Sequence, residues 1–136
     1  MDYTFHKVGG ILIQDKKLLV TRSKDKDFFV APGGKVESGE NIFDALSREL
    51  QEEISVKINK KDTELFDTFY ADAAGQPGDN LRMDVFVVKT WDGSIKADNE
   101  IEEIAWVDSS DVGRVNMGSI FEQDVIPKLI DQGLID

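Results

Sequence analysis

Gly33-Gly34-Lys35-Val36-Glu37-Ser38-Gly39-Glu40-Asn41-Ile42-Phe43-Asp44-Ala45-Leu46-Ser47-Arg48-Glu49-Leu50-Gln51-Glu52-Glu53-Ile54-Ser55-Val56 is the stretch that decides the fold. Ile42, Ala45, Leu46, Leu50 and Ile54 recur at three- and four-residue spacing, which predicts an amphipathic helix opened by Ser38 or Glu40. At about 100° per residue, Glu49, Glu52 and Glu53 share one arc of roughly 100° that overlaps a border of the apolar stripe. A solvated acidic face belongs opposite that stripe, where Asp44, Ser47, Arg48 and Gln51 already lie. Three clustered carboxylates repel one another by a few tenths of a kcal/mol per pair. A divalent cation offsets that repulsion, and an oxygen-only donor set points to Mg²⁺ or Mn²⁺ before zinc. Arg48 can brace one of the carboxylates from outside.

Outward from the helix, Phe5 to Val20 reads as two strands around the turn Gln14-Asp15-Lys16-Lys17. Phe28-Phe29-Val30 is a short apolar run ended by Ala31-Pro32-Gly33-Gly34. Val56 to Ile58, Leu65 to Tyr70, Leu81 to Val88 and Ile101 to Val107 read as strands, and Ala73 to Asn80 as a loop. Ile120, Phe121, Val125, Leu129 and Ile130 predict a final helix from about Gly118 to Asp131, with Pro127 as an interior kink. This order implies an α/β fold, a mixed β-sheet sandwiched between helices, in one domain over residues 1–136.

Composition limits the function. The 136 residues hold 27 Asp plus Glu against 16 Lys plus Arg, a net charge of −11, which disfavours a polynucleotide partner. An acidic site for an anion calls for a metal ion to neutralise it. With no Cys and one His, thiolate sites, thiol nucleophiles and histidine cages are excluded. No apolar run approaches the roughly 20 residues that span a bilayer, and Met1-Asp2-Tyr3-Thr4 does not open a signal peptide, so the expected location is cytoplasmic, away from membranes.

The pattern Gly34, five residues, Glu40, seven residues, Arg48-Glu49-Leu50, one residue, Glu52-Glu53, one residue, Ser55-Val56 resembles the Nudix box, the signature of the Nudix hydrolases. Ser55 stands where the family usually has Gly, at a turn that often requires a left-handed residue. Pro32-Gly33-Gly34 before the box, and Asn99 to Val107 with its acidic run and Trp106-Val107, extend the likeness over the whole chain. The resemblance implies the Nudix fold and hydrolysis of a small nucleotide that contains a diphosphate, by metal-assisted attack of water on phosphorus. Glu49, Glu52 and Glu53 would hold Mg²⁺ (or Mn²⁺) with the Gly33 carbonyl, while Glu40 and Arg48 form a structural pair in which Arg48 orients Glu49. Glu100 is the loop candidate, as metal ligand or general base, with Glu102 and Glu103 as competitors; a box glutamate is the other candidate base.

Among further candidates, Arg22, Lys35 and Arg82 can meet phosphate oxygens or lie exposed. Asn116 reads as a base-recognising residue of the MutT-like branch or as a plain turn residue. Phe28, Phe29, Phe69 and Tyr70 either stack a nucleobase or fill the core, and His6 reads as a strand residue. The resulting expectation is a Mg²⁺-dependent nucleoside triphosphate pyrophosphohydrolase, with oxidised or non-standard dNTPs among the candidate substrates, as monomer or homodimer. The alternatives are a hydrolase of ADP-ribose, nucleotide sugars or dinucleoside polyphosphates, and a non-catalytic nucleotide-binding module.

Overall fold

In the computed structural model, residues 5–72, 80–118 and 124–136 are described. Among the described residues the strands are β1 (Phe5–Ile11), β2 (Ile13–Gln14), β3 (Lys17–Ser23), β4 (Gly33–Lys35), β5 (Thr63–Asp72), β6 (Asn80–Val88) and β7 (Ile101–Val107). The helices are α1 (Ile42–Ile54) and α2 (Ile126–Asp131). The strands divide between a mixed sheet of order β4-β1-β6-β5 and a three-stranded antiparallel sheet of order β2-β3-β7. The parallel pair is β1 with β6, in register from Phe5↔Leu81 to Ile11↔Val87.

Alternation along the strands builds the layers, because successive residues face opposite sides of a sheet. Val8, Leu12, Leu19, Phe86 and Val88 pack with Ala45, Leu46, Leu50 and Ile54 of α1. Ile11, Leu18, Val20, Val85 and Val107 pack with Ile126 and Leu129 of α2. The sheets thus lie between the helices, as the element order implies. Among the described residues no helix is long and apolar enough to cross a membrane.

Several boundaries differ from the sequence expectation. Helix α1 is opened by Asn41, whose side chain accepts a hydrogen bond from the Asp44 NH at 2.8 Å, rather than by Ser38 or Glu40. Val56 to Ile58 forms one isolated bridge, Lys57↔Asp92, instead of a strand. Gly118 donates its NH to the Phe29 carbonyl, so it is not helical, and Pro127 lies in the first turn of α2, where its missing NH has no helical acceptor to lose. Ile120 and Phe121 of the expected final helix, residues 73–79 of the expected loop, and residues 1–4 lie outside the described residues.

The C-terminus of α1 is tied to the chain before β7. Asn99 Nδ2 donates to the Glu52 carbonyl at 2.7 Å, and the NH groups of Asp98 and Lys96 donate to the Glu53 and Ile54 carbonyls. Ser55 turns the chain out of the helix with φ 63° and ψ 32°, the left-handed conformation that penalises a Cβ. Ser55→Gly is therefore expected to stabilise the protein by about 1 kcal/mol, read as a higher urea midpoint at unchanged slope.

Candidate active site

Box residues from α1 and β4 meet at a cleft of about 380 Å³ whose walls also come from β1, β3, β6, the chain between β3 and β4, and Glu100 just before β7. Gly33 and Gly34 on β4 pair with Gly9 and Val8 on β1, which brings the glycine strand under α1. A Cβ on Gly34 would sit 2.5 Å from the Glu49 carboxyl carbon. A Cβ on Gly33, whose φ is +155°, would sit 2.0 Å from the Val8 carbonyl oxygen. The paired glycines are what lets the carboxylates of α1 approach the sheet.

Glu49 and Glu53 both line the cleft. Glu53 is 6% exposed, and its Oε1 accepts a hydrogen bond from the Gly33 NH at 2.9 Å. Burial pushes its carboxyl up to about 8; the Gly33 NH opposes that rise, and the charges of Glu49, Glu100 and Glu52 reinforce it. Burial also raises Glu49, against the pull of Arg48. Glu100 lines the same cleft from the residue before β7, held there by the ties from residues 96–99 to the end of α1 and by the Lys24 NH on its carbonyl. Glu102 and Glu103 instead face Arg22, each with an oxygen 3.2 Å from its Nη2.

Arg48 braces this end of the site. Its Nε and Nη2 donate to the two oxygens of Glu40 at 2.9 and 3.0 Å, its Nη1 to Glu49 Oε1 at 2.8 Å, and its Nη2 also to the Lys35 carbonyl at 3.0 Å. The guanidinium, helped by the Glu37 NH, holds the Glu40 carboxyl at about 2. Glu52 is half exposed and 3.4 Å from Arg48 Nη1.

The residues expected to contact substrate are divided. Lys35 lines the cleft, with its ammonium 5.6 Å from the centre of the Phe5 ring. Arg22 is engaged by Glu102, Glu103 and the Lys26 carbonyl, and is not among the lining residues. Asn116 donates its side-chain NH₂ to the Asp27 carbonyl at 3.0 Å, so it anchors the chain that leads to Phe28 in the cleft wall. Phe69 packs in the core below α2, whereas Tyr70 is exposed. Sequence reasoning missed Lys7, Lys26 and Met83, which also line the cleft. It also missed the bond from His6 Nε2 to the buried Asp84 at 2.5 Å, a carboxylate that further binds Thr68 Oγ1 and Arg82.

Among the described residues no three acidic or His side chains already converge at metal-ligand separation. The donor chemistry nevertheless fits a hard divalent ion. Glu49, Glu53 and Glu100 offer oxygens only, and their mutual repulsion in a partly desolvated cleft is the liability such an ion removes. Coordination by Glu49, Glu52 and Glu53 together requires Glu52 to turn from Arg48 toward the cleft.

A family model described as NUDIX domain matches residues 4–129. The chain is 42% identical over 62 residues to an 8-oxo-dGTP diphosphatase of Buchnera aphidicola subsp. Schizaphis graminum, a match covering 43% of this chain and 47% of that one. It is 30% identical over 111 residues to an ADP-ribose pyrophosphatase of Methanocaldococcus jannaschii, covering 79% and 64%. A solved MutT structure, from work on the Aliivibrio salmonicida and Vibrio cholerae proteins, has a TM-score of 0.73 and 27% identity over 94% of this chain and 98% of that one.

Proposed function

Because the chain belongs to the Nudix hydrolase family, we propose that it is a Mg²⁺-dependent nucleoside triphosphate pyrophosphohydrolase, a single domain over residues 1–136. It would convert a triphosphate and water into a nucleoside monophosphate and pyrophosphate, with oxidised or otherwise non-standard dNTPs as the candidate substrates. The observation that carries this reading is the cleft itself. It joins Glu49, Glu53 and Glu100 to Lys35 and to the apolar wall of Phe28, Val30 and Met83, a place for charged phosphates beside a place for a flat base. The identity of 42% to a relative named 8-oxo-dGTP diphosphatase supports the same substrate class.

In this reading Glu49, Glu52 and Glu53, with the Gly33 carbonyl, would hold the ion, and Mn²⁺ could replace Mg²⁺. Bound Mg²⁺ supplies charge neutralisation for the diphosphate and activation of a water at neutral pH. Arg48 fixes the orientation of Glu49 through the 2.8 Å bond. Glu100 faces the same cleft, as a further oxygen ligand or as the acceptor of the water's proton. Lys35 binds phosphate oxygen, Phe28 stacks the base, and Asn116 holds the backbone ahead of Phe28. Arg22 reaches phosphate only by leaving Glu102 and Glu103.

The relative named ADP-ribose pyrophosphatase supports a second reading, hydrolysis of ADP-ribose or a related nucleotide diphosphate. A non-catalytic module fits less well, since all three box glutamates are present. The pure protein should be incubated separately with NTPs, dNTPs, oxidised dNTPs, dinucleoside polyphosphates, ADP-ribose and nucleotide sugars, in Mg²⁺ and in EDTA, with chromatographic identification of products. Monophosphate plus pyrophosphate from one triphosphate, abolished by EDTA, is the expected result. Two monophosphates from ADP-ribose would select the second reading, and inactivity of the folded protein on every compound would select the module. Sedimentation of the same protein distinguishes monomer from homodimer.

The glycine pair gives a sharper test of geometry. In Gly34→Ala the atoms nearest the new Cβ all belong to the end of the Glu49 side chain. That side chain can swing away, so stability should change by no more than about 1 kcal/mol while turnover falls about 100-fold from the displaced carboxylate. In Gly33→Ala the Cβ meets backbone at Val8 and Gly9, and the expected result is loss of the folded state. Urea unfolding and initial rates on both variants check the contrast.

A further inference from the structure

Three lysines converge on the cleft in a chain with a net charge of −11. Lys7 on β1 is paired in register with Lys35 on β4 and with Met83 on β6, so its side chain lies on the cleft face beside both. Lys26 lies between β3 and β4, where Arg22 Nη1 donates to its carbonyl at 3.0 Å and its own NH donates to the Ser23 carbonyl. Lys26 lines the cleft with Lys7 and Lys35. Burial, followed by the nearby charges of Lys35 and Lys26, lowers the basicity of Lys7.

Among the described residues neither Lys7 nor Lys26 has an ion-pair partner within 4.0 Å, although Glu49, Glu53 and Glu100 share the cleft. Glu49 is turned to Arg48 and Glu53 to the Gly33 NH. The cleft therefore keeps its positive and negative groups apart. A lysine near the surface ordinarily carries its ammonium out into water and lies along apolar surface only with its stem. Lys7 is half-buried with two like charges as neighbours, an arrangement that a bound anion offsets. An ion held by the box carboxylates neutralises a diphosphate, and in a triphosphate one phosphate is left over.

We propose that Lys7 and Lys26 form a subsite for this third phosphate, so that the cleft selects triphosphates over diphosphates. This rests on the triphosphate reading above. Ammonium groups bind phosphate as point charges through strong, charge-assisted hydrogen bonds, which suits a terminal phosphate that can rotate.

The test uses inorganic pyrophosphate and inorganic tripolyphosphate as probes, titrated calorimetrically in Mg²⁺ buffer, so it is independent of turnover. Wild-type protein should bind tripolyphosphate about tenfold more tightly than pyrophosphate. Lys7→Met and Lys26→Met should each reduce that preference toward unity, while Lys60→Met, a change at an exposed turn remote from the cleft, should retain it. Lys26 lies outside the strands, so its variant remains informative if Lys7→Met fails to fold. An unchanged preference in Lys26→Met, or wild-type protein that does not distinguish the two anions, would overturn the subsite. Absence of nucleotide turnover alongside an intact, lysine-dependent preference would instead count against the enzymatic reading.

Discussion

Glu53→Gln is expected to lower turnover about 10³-fold while making the metal-free protein more stable at alkaline pH. The first effect follows from its place in the cleft among the proposed ion-holding carboxylates. The second follows from burial. The Glu53 carboxyl is raised from an ordinary 4.5 to about 8, so between those values the folded protein holds a proton that the unfolded chain has released. Stability from this group is complete below about pH 4.5, declines as pH rises from there to about 8, and stays at its minimum above. Glutamine remains neutral throughout and keeps the amide oxygen as an acceptor for the Gly33 NH. The gap between 4.5 and about 8 sets a ceiling of about 5 kcal/mol, and rotation of the charged side chain toward water leaves about 2 kcal/mol as the expected gain.

The measurement is urea unfolding in EDTA at pH 6 and pH 9, for wild type and Glu53→Gln, with initial rates in Mg²⁺. The wild type should lose stability between the two pH values and the variant should lose distinctly less. Equal declines would assign the pH dependence elsewhere; Glu49, raised in the same direction, would be the first alternative. In saturating Mg²⁺ the order should reverse, because an ion that binds only the folded wild type stabilises it by mass action. A Glu53→Gln protein that retained full activity would remove Glu53 from the proposed site.

The difference between what was legible in the sequence and what was not follows the range of the interactions. The stripe of α1 is local, and Leu46, Leu50 and Ile54 are buried where its periodicity places them. The same periodicity brings Glu49 and Glu53 to the border of that stripe, and both line the cleft. Glu52 shares their arc but points to Arg48, because a helical wheel fixes the direction of Cβ and not the rotamer beyond it. Asn41 could have been read as the helix cap, since Asn three residues before Asp44 is a capping pair. Val56 to Ile58 has the composition of a strand, but the left-handed turn at Ser55 and the clip from residues 96–99 leave it one bridge. The pairing of His6 with Asp84 joins residues 78 apart, and the division of strands into two sheets depends on equally distant contacts. Lys7 was hidden for another reason: in a strand ending at the surface, a lysine is ordinarily a solvated residue, and only the register beside Lys35 and Met83 turns it into a cleft residue.

Arg48→Gln should damage stability and turnover together. Arg48 makes two parallel bonds to Glu40 while also holding Glu49 and the Lys35 carbonyl, so one guanidinium links the loop before α1, the helix and β4. Glutamine can supply one or two of those donors but not the planar fork, and it brings no charge. The Arg48 and Glu40 side chains are 26% and 16% exposed, so solvent screens part of the loss, and a destabilisation of about 2–3 kcal/mol is expected. Turnover should fall about 10- to 100-fold as well, since Glu49 loses the group that orients it. The pH signature separates the two contributions. Glu40 is held at about 2 against an ordinary 4.5, so its share of stability is complete above pH 4.5 and is lost as pH falls toward 2. Wild type and variant should therefore differ most at neutral pH and converge on acidification, which urea unfolding from pH 7 down to pH 3 would show. Arg48→Lys restores the charge without the fork. If it recovered the stability but not the rate, the charge would be serving the fold and the fork would be serving the alignment of Glu49; recovery of both would mean that charge alone suffices at this position.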